Sequence, residues 1–330
     1  MRKIKIFTNQ VANGWEPADL KTFLGGSEES VVLLAEALTR KEFEVTVYHN
    51  QVISKDKNIN GVLYKSREQA TCDQDDIFIT FKDVAPWKMG AKAALNIHWT
   101  TEIEKSWGSN PDTGERYIDN IDHYINISKY QQGKNSFVPN SINKAFPLGV
   151  DLESLNKNKA KTEKNTLLYC SSPDRGLLQL LKDWKFIKQK SPDLKLKVAY
   201  GWGNFNTANP EIRKFKDTIS KLLNQDGITY LGSLDKTQIE KEYWKAAYWV
   251  LPLNNPNSEL FCLNAVKARH CGCTPIVNKV GALSETVGDF IDYHDFINKG
   301  LSNVQKEEAD YKAISWDNIV EQYWLPILKD

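Results

Sequence analysis

The segment GGSEESVVLLAEALTRKEFEVTVYH, residues 25–49, decides how the first half of this chain folds. Two glycines open it, Val31, Leu34, Ala35 and Leu38 follow at helical spacing, and FEVTVYH closes it as a short β-branched run. Upstream lies a second such run, KIKIFT (3–8), joined to the glycines by the long irregular stretch NQVANGWEPADLKTF (9–23). Strand, loop, helix and strand in that order predict a βαβ unit with a glycine-rich entry to its helix. Further strands are predicted at DIFITF (76–81), AALNIHW (93–99) and HYINIS (123–128), so the first half is a doubly wound α/β domain.

The second half repeats the logic. NKNKAKTEKN (156–165) is polar, has no apolar period and is expected to be a solvated linker. Strands are then predicted at TLLYCSS (166–172), LKLKVAYGW (194–202), ITYLGS (228–233), YWVLPL (248–253) and TPIVN (274–278). Helices are predicted between them at 176–191, 210–225, 236–247 and 260–271. The whole is α/β, with two tandem Rossmann-like domains and an interdomain cleft faced by strand ends and helix N-termini. The amphipathic C-terminal segment SWDNIVEQYWLPILKD (315–330) is expected to pack back on the N-terminal domain. Domain limits are placed at 1–155, plus helix 316–330, and at 156–315.

Bulk properties exclude several classes. Among 330 residues, 43 basic and 42 acidic side chains leave a formal charge of +1, and no long basic run suggests a polyanion partner. No apolar stretch approaches the roughly 18–20 residues that cross a bilayer, and MRKIKIFTN lacks a signal-peptide core, so a cytoplasmic location is expected. The five cysteines are an odd number and are expected as free thiols. Cys271 and Cys273 fall short of the four ligands of a structural zinc site, and no metal ligands are assigned. DQDDIF, with Asp73 and Asp76, is expected to be a solvated turn rather than a metal motif.

Three segments carry chemistry. Gly25 and Gly26 let a ligand approach the backbone, and Ser27 is expected to cap the helix, whose free N–H groups favour an anion. The plain alternative is a tight turn before a helix. No third glycine completes a dinucleotide fingerprint, which argues against a nicotinamide enzyme. In SSPDRGL (171–177), Arg175 opens a helix where its planar fork suits a phosphate, or it is a surface arginine. In NSELFCLNAVKARHCGCTPIVNKVGALSETVG (257–288), Glu259 is expected at a helix start, able to accept from sugar hydroxyls or to serve only as a capping acid. The amides near Phe261 and Cys262 can hold a phosphate. Lys267 lies eight residues on, a helical rise of about 12 Å, and is otherwise a surface lysine.

The order of these pieces resembles the retaining GT-B glycosyltransferases of family 4 (glycosyltransferase group 1) over nearly the whole chain. GGSEESVVLLAEALTRKEFEVTVY resembles that family's glycine loop and helix, and PLGVDLESL (147–155) its segment before the second domain. LLYCSSPDRGLLQLLKDWKFI (167–187) resembles its strand–turn–helix, and residues 257–287 its two-acid region. The resemblance implies that Gly25 and Gly26 face the donor diphosphate. It places Arg175 at the phosphate-binding lysine, Glu259 on the donor sugar, and Phe261, Cys262 and Leu263 as backbone donors to phosphate. It sets His98 near the reacting sugar, with Trp99 and Lys82 as other groups there; the plain alternative is a core histidine with its hydrogen bonds satisfied. Three positions depart from the pattern. Lys267 replaces the second acid, Cys262 a glycine, and Cys170 an arginine, so Lys267 is a candidate for the missing positive charge.

The expected activity is therefore transfer of a hexosyl or pentosyl group from a UDP- or GDP-sugar to an acceptor hydroxyl, with retention and without a cofactor or an obligatory metal. The alternative is a non-catalytic nucleotide-sugar binder on the same fold. The acceptor is expected on the N-terminal domain, with no acceptor-binding residue assigned. Glycan, lipid-linked sugar, protein and modified nucleobase all remain candidates.

Overall fold

The computed structural model describes residues 2–9, 14–22, 24–50, 55–74, 76–157, 159, 161–203, 205–304 and 313–329. Parts of the first long loop (10–13 and 23) and of the expected linker (158 and 160) lie outside the described residues. The chain divides into two compact units, Met1–Leu20 with Leu24–Asp151 and Ile314–Asp330, and Lys21–Phe23 with Leu152–Ala313.

The first unit is built on an eight-stranded sheet. Its strands are β1 (Lys3–Thr8), β2 (Glu44–His49), β3 (Lys57–Ile59), β4 (Val62–Ser66), β5 (Ile77–Phe81), β6 (Leu95–Trp99), β7 (His123–Asn126) and β8 (Asn143–Ala145). Their order is β3-β4-β2-β1-β5-β6-β7-β8, parallel except for the β3–β4 hairpin. That hairpin turns on Asn60-Gly61, both at positive φ, because the two-residue turn that matches strand twist needs that backbone. β1 has β2 on one side and β5 on the other, so the chain changes direction across the sheet there, where such folds bind ligands. The helix Gly26–Arg40 buries Val31, Val32, Leu34, Ala35 and Leu38. Each fully buried Val or Leu contributes about 1.5–3 kcal/mol.

The C-terminal helical segment packs on this unit. Trp316 and Trp324 set their rings edge-on to Trp99 at 6.3 and 5.7 Å, and Arg40 Nε donates to Asp317 Oδ1 at 2.8 Å. Gly149 makes room for it: a Cβ there would lie 2.7 Å from the Trp316 Cα.

The second unit holds β9 (Glu163–Tyr169), β10 (Lys195–Ala199), β11 (Ile228–Gly232), β12 (Ala246–Leu251), β13 (Thr274–Val277) and β14 (Ile291–Asp292), all parallel. Their order is β11-β10-β9-β12-β13-β14. β9 starts three residues earlier than predicted, inside the supposed linker, because Glu163 there pairs with Lys197 at 2.7 Å. Asp76 likewise corrects the expected solvated turn, since it is buried and pairs with the equally buried Lys5 of β1 at 2.6 Å.

His49, the last residue of β2, is wholly buried with its ring 4.3 Å from that of Trp15, and neither ring nitrogen makes a well-formed hydrogen bond to a described residue. Burial lowers its pKa to about 4, against the pull of nearby Glu16. The folded state therefore resists the proton that the unfolded chain binds near pH 6.5, so this stabilisation is present above that pH and is lost as pH falls toward 4. Between pH 7 and pH 5 it amounts to about 2 kcal/mol. Urea unfolding at the two pH values is expected to show a decline that His49→Leu reduces by that amount; an unchanged slope would remove His49 as its source.

Candidate active site

β9 runs into a tight turn at the carboxyl edge of the second sheet. Tyr169 Oη donates to the Ser172 carbonyl at 2.7 Å, and the Arg175 N–H donates to the same oxygen at 2.8 Å. Gly176 completes the turn at φ +92°, in the left-handed region, where a Cβ would lie 2.6 Å from the Pro252 carbonyl oxygen. The helix Leu177–Lys190 follows. The turn directs Arg175 at Glu259, with Nη1 to Oε2 at 2.9 Å. The carboxylate side chain is only 7% exposed, whereas the guanidinium side chain is 41% exposed, so one partner is sealed and the other still meets solvent.

Burial raises the Glu259 pKa, while the charge of Arg175 and the amide of Phe261 oppose it. The acid is held by a second loop. Gly281, at φ +58°, brings its backbone so close that a Cβ would lie 2.4 Å from the Pro256 carbonyl oxygen and 2.5 Å from that of Glu259. The Ala282 N–H donates to the Glu259 carbonyl at 3.0 Å.

Glu259 itself is extended (φ −137°, ψ 104°) and is not the first residue of a helix. The helix is Leu263–His270, with Cys262 at its N-cap, so the helical rise expected from Glu259 to Lys267 does not exist. Two of the expected backbone donors are also occupied. The Phe261 amide serves Glu259, and the Leu263 N–H donates to the Phe261 carbonyl at 3.2 Å. The amides of Cys262 and Asn264 make no backbone hydrogen bond among the described residues. They stand at the positive end of a short helix, where an anion is favoured.

Lys267 is half-buried on this helix, and its charge acts on the buried Cys170 thiol at the end of β9. Burial nonetheless pushes that thiol up to about 11. The side chain of Asn264 ties the pieces together, accepting from Tyr243 Oη at 2.9 Å and donating to the Cys170 carbonyl at 3.1 Å. The sequence reading missed Asn264 and Gly281. A cavity of about 750 Å³ opens beside the Arg175 turn, lined by Asp174, Gly176, Phe205, Phe215, Asn254 and Ser258, among others.

Gly25, Gly26, Ser27 and His98 belong to the first unit. Gly25 is the N-cap of its helix and Ser27 lies inside the first turn, so Ser27 is not the cap; its hydroxyl lies 3.1 Å from that of Thr101. His98 follows the plain alternative of a core histidine, not the sugar-facing role. It is wholly buried, with Nδ1 2.8 Å from Thr80 Oγ1 and Nε2 3.0 Å from Glu104 Oε1. Its ring is edge-on to Trp107 at 4.7 Å. Although burial works against it, bonds from His98 and Trp107 hold the Glu104 carboxyl at about 2. With both nitrogens engaged, His98 is a core histidine and presents neither to a substrate.

Residues 151–307, which include the Arg175–Glu259 pair, match the sequence model of the glycosyl transferases group 1 family. That segment is similar to the group 1 glycosyltransferases. A lipopolysaccharide 1,2-N-acetylglucosaminetransferase of Salmonella typhimurium is 26% identical in an alignment 183 residues long that covers 49% of this chain and 47% of that protein. The chain thus spans about half the length of that curated relative. The sucrose-phosphate synthase of Thermosynechococcus elongatus superposes over 100% of this chain and 99% of its own with a TM-score of 0.70, at 15% identity. An Anabaena protein solved in complex with UDP-glucose superposes over 86% of this chain and 82% of its own, with a TM-score of 0.55 at 12% identity. The two parallel-sheet units are those of the GT-B fold.

Gly281→Ala is expected to destabilise this domain by about 1–3 kcal/mol, because the added methyl meets backbone oxygens that no rotamer change can move. Thermal unfolding checks this; wild-type stability in the variant would mean that the loop is not held by the close approach.

Proposed function

We propose that this protein transfers a glycosyl group from a nucleoside diphosphate sugar to an acceptor hydroxyl, with retention of anomeric configuration. The observation that carries the proposal is the Arg175–Glu259 pair beside the N-terminus of the helix Leu263–His270, inside the domain that matches the group 1 glycosyltransferases. The UDP-glucose complex of the Anabaena protein on the same fold supports a nucleotide sugar as donor.

Each group has a chemical task. In the reaction the bond between the anomeric carbon and the diphosphate oxygen breaks, a bond to the acceptor oxygen forms on the same face, and the acceptor proton passes to the departing phosphate. Negative charge grows on the diphosphate as it leaves. The half-exposed guanidinium of Arg175 and the amides of Cys262 and Asn264 neutralise that charge from fixed positions, which lowers the barrier more than mobile water would. Glu259, sealed from solvent, accepts hydrogen bonds from the hydroxyls of the donor sugar. The adjoining cavity is of a size that holds the remainder of a bound nucleotide sugar. Lys267 adds positive charge beside the end of β9, where Cys170 has none to offer. No side chain need hold a metal for these steps.

Incubation with UDP-, GDP- and ADP-sugars, with nucleoside diphosphate release as readout, tests the proposal. One donor is expected to be consumed. Tight binding without turnover would favour a nucleotide-sugar binder, and neither binding nor turnover would reject the reading. Glu259→Gln is expected to lower the rate about 100-fold or more. Its melting temperature should stay or rise, because the burial that raises the pKa of the acid disfavours the charged carboxylate. Lys267→Ala is expected to weaken donor affinity about tenfold, the loss of one charge-assisted contact. Unchanged affinity would return Lys267 to the status of a surface residue.

A further inference from the structure

Three residues other than glycine adopt positive φ among the described residues: Glu42, Asn60 and Lys82. The first two have local reasons. Glu42 lies in the turn after the helix Gly26–Arg40, and Asn60 is in the Asn-Gly hairpin turn. Lys82 is the first residue beyond β5, at φ +57°, with its N–H still donating to the Trp99 carbonyl of β6 at 3.0 Å. A lysine in this conformation costs about 1–2 kcal/mol that glycine would not. Such backbone strain persists where the surrounding structure imposes it, and it collects at ligand sites.

What lysine gains there is a placed ammonium. Its side chain is 14% exposed and its Nζ lies 2.7 Å from Glu102 Oε1, while the Glu102 side chain is 59% exposed. The location is the carboxyl edge of β5, which pairs with β1 on one side and β6 on the other, at the point where the chain changes direction across the sheet. Around it, Arg67 pairs with Asp83 at 2.8 Å and also donates to the Thr8 carbonyl at the end of β1, and Ser27 meets Thr101 after β6.

We infer that Lys82 and Glu102 form the hydroxyl-reading subsite of the acceptor, a specificity-determining pair on the first unit. This rests on the transferase reading above. The ammonium has three donors and lies in ion-pair contact with Glu102, whose exposed carboxylate has acceptor capacity to spare. An ammonium that donates beside a carboxylate that accepts matches two neighbouring hydroxyls of a sugar. A sugar acceptor is therefore the class of substrate this pair fits. The left-handed backbone holds the lysine stem at the strand edge, so the pair is in place before the acceptor arrives.

The test uses the full chain, its consumed donor, and two acceptor sets: methyl hexosides and hexose 6-phosphates. Lys82→Gly is expected to raise the melting temperature by a few degrees, about what relief of such strain yields. It should also raise the KM for methyl hexosides at least about tenfold, the loss of one charged hydrogen bond, with the donor KM altered far less. Lys82→Arg should recover part of the loss. Three results would overturn the inference: transfer by Lys82→Gly within twofold of wild type, an equal rise in donor KM, or a defect confined to the phosphorylated acceptors. If wild type consumes no donor, the transferase reading has failed by itself. Saturation-transfer NMR of methyl hexosides then decides the subsite: binding lost in Lys82→Gly supports it, and equal or absent binding in both proteins rejects it.

Discussion

The ion pair between Arg175 and Glu259 is the contact around which the candidate site is built, and what it secures is position rather than net stability. Its two halves come from segments 84 residues apart, one after β9 and one before the helix Leu263–His270. A carboxylate buried to this degree is costly unless a cation and hydrogen-bond donors meet it, and breaking such a pair leaves the cost uncompensated. The surrounding backbone therefore converges on it. Gly176 gives way to the Pro252 carbonyl, and Gly281 gives way to those of Pro256 and Glu259. Because Arg175 stays half exposed, the pair holds the acid in place and still offers cationic donors to an incoming anion.

The two units divide their use of burial. In the first, the sheet interior encloses polar groups: His98 is clamped by Thr80 and Glu104, and Lys5 is paired with the buried Asp76. In the second, the polar groups at the carboxyl edge of the sheet are only partly enclosed. Lys267 is half-buried there, and Asn264 fastens the helix start to the end of β9 and to Tyr243. A fixed frame of this kind positions charge without reorganisation during reaction, which is the physical requirement for stabilising a departing diphosphate.

Much of this was legible in the sequence. The β-branched runs 3–8 and 44–49 around an apolar 3.6-residue period placed β1, the helix Gly26–Arg40 and β2, because burial on one helix face leaves a strong pattern. The short strands β3, β4, β8 and β14 escaped, since two to five residues leave little period to detect; Asn60-Gly61 is a hairpin signal between two of them that was not read as one. Arg175 and Glu259 were singled out by residue type and position, but their direct contact was not, because pairing between distant segments has no local signature. Glu259 was also placed in the wrong conformation. An acid ahead of an apolar run looks like a helix start, yet Gly281 pulls the chain into an extended path before Cys262 begins the helix. His98 carried no sequence mark of its burial, which depends on partners in β5 and in the loop holding Glu104.

The central claim is that Arg175, held by Glu259, receives a diphosphate. Calorimetric titration of UDP, GDP and ADP, each against its parent nucleoside, into wild type and Arg175→Ala tests it most directly. One nucleoside diphosphate is expected to bind wild type at least about 100-fold more tightly than its nucleoside, and Arg175→Ala should remove most of that difference. Equal affinity of the diphosphate for both proteins would contradict the account, because the phosphate would then be held without the guanidinium.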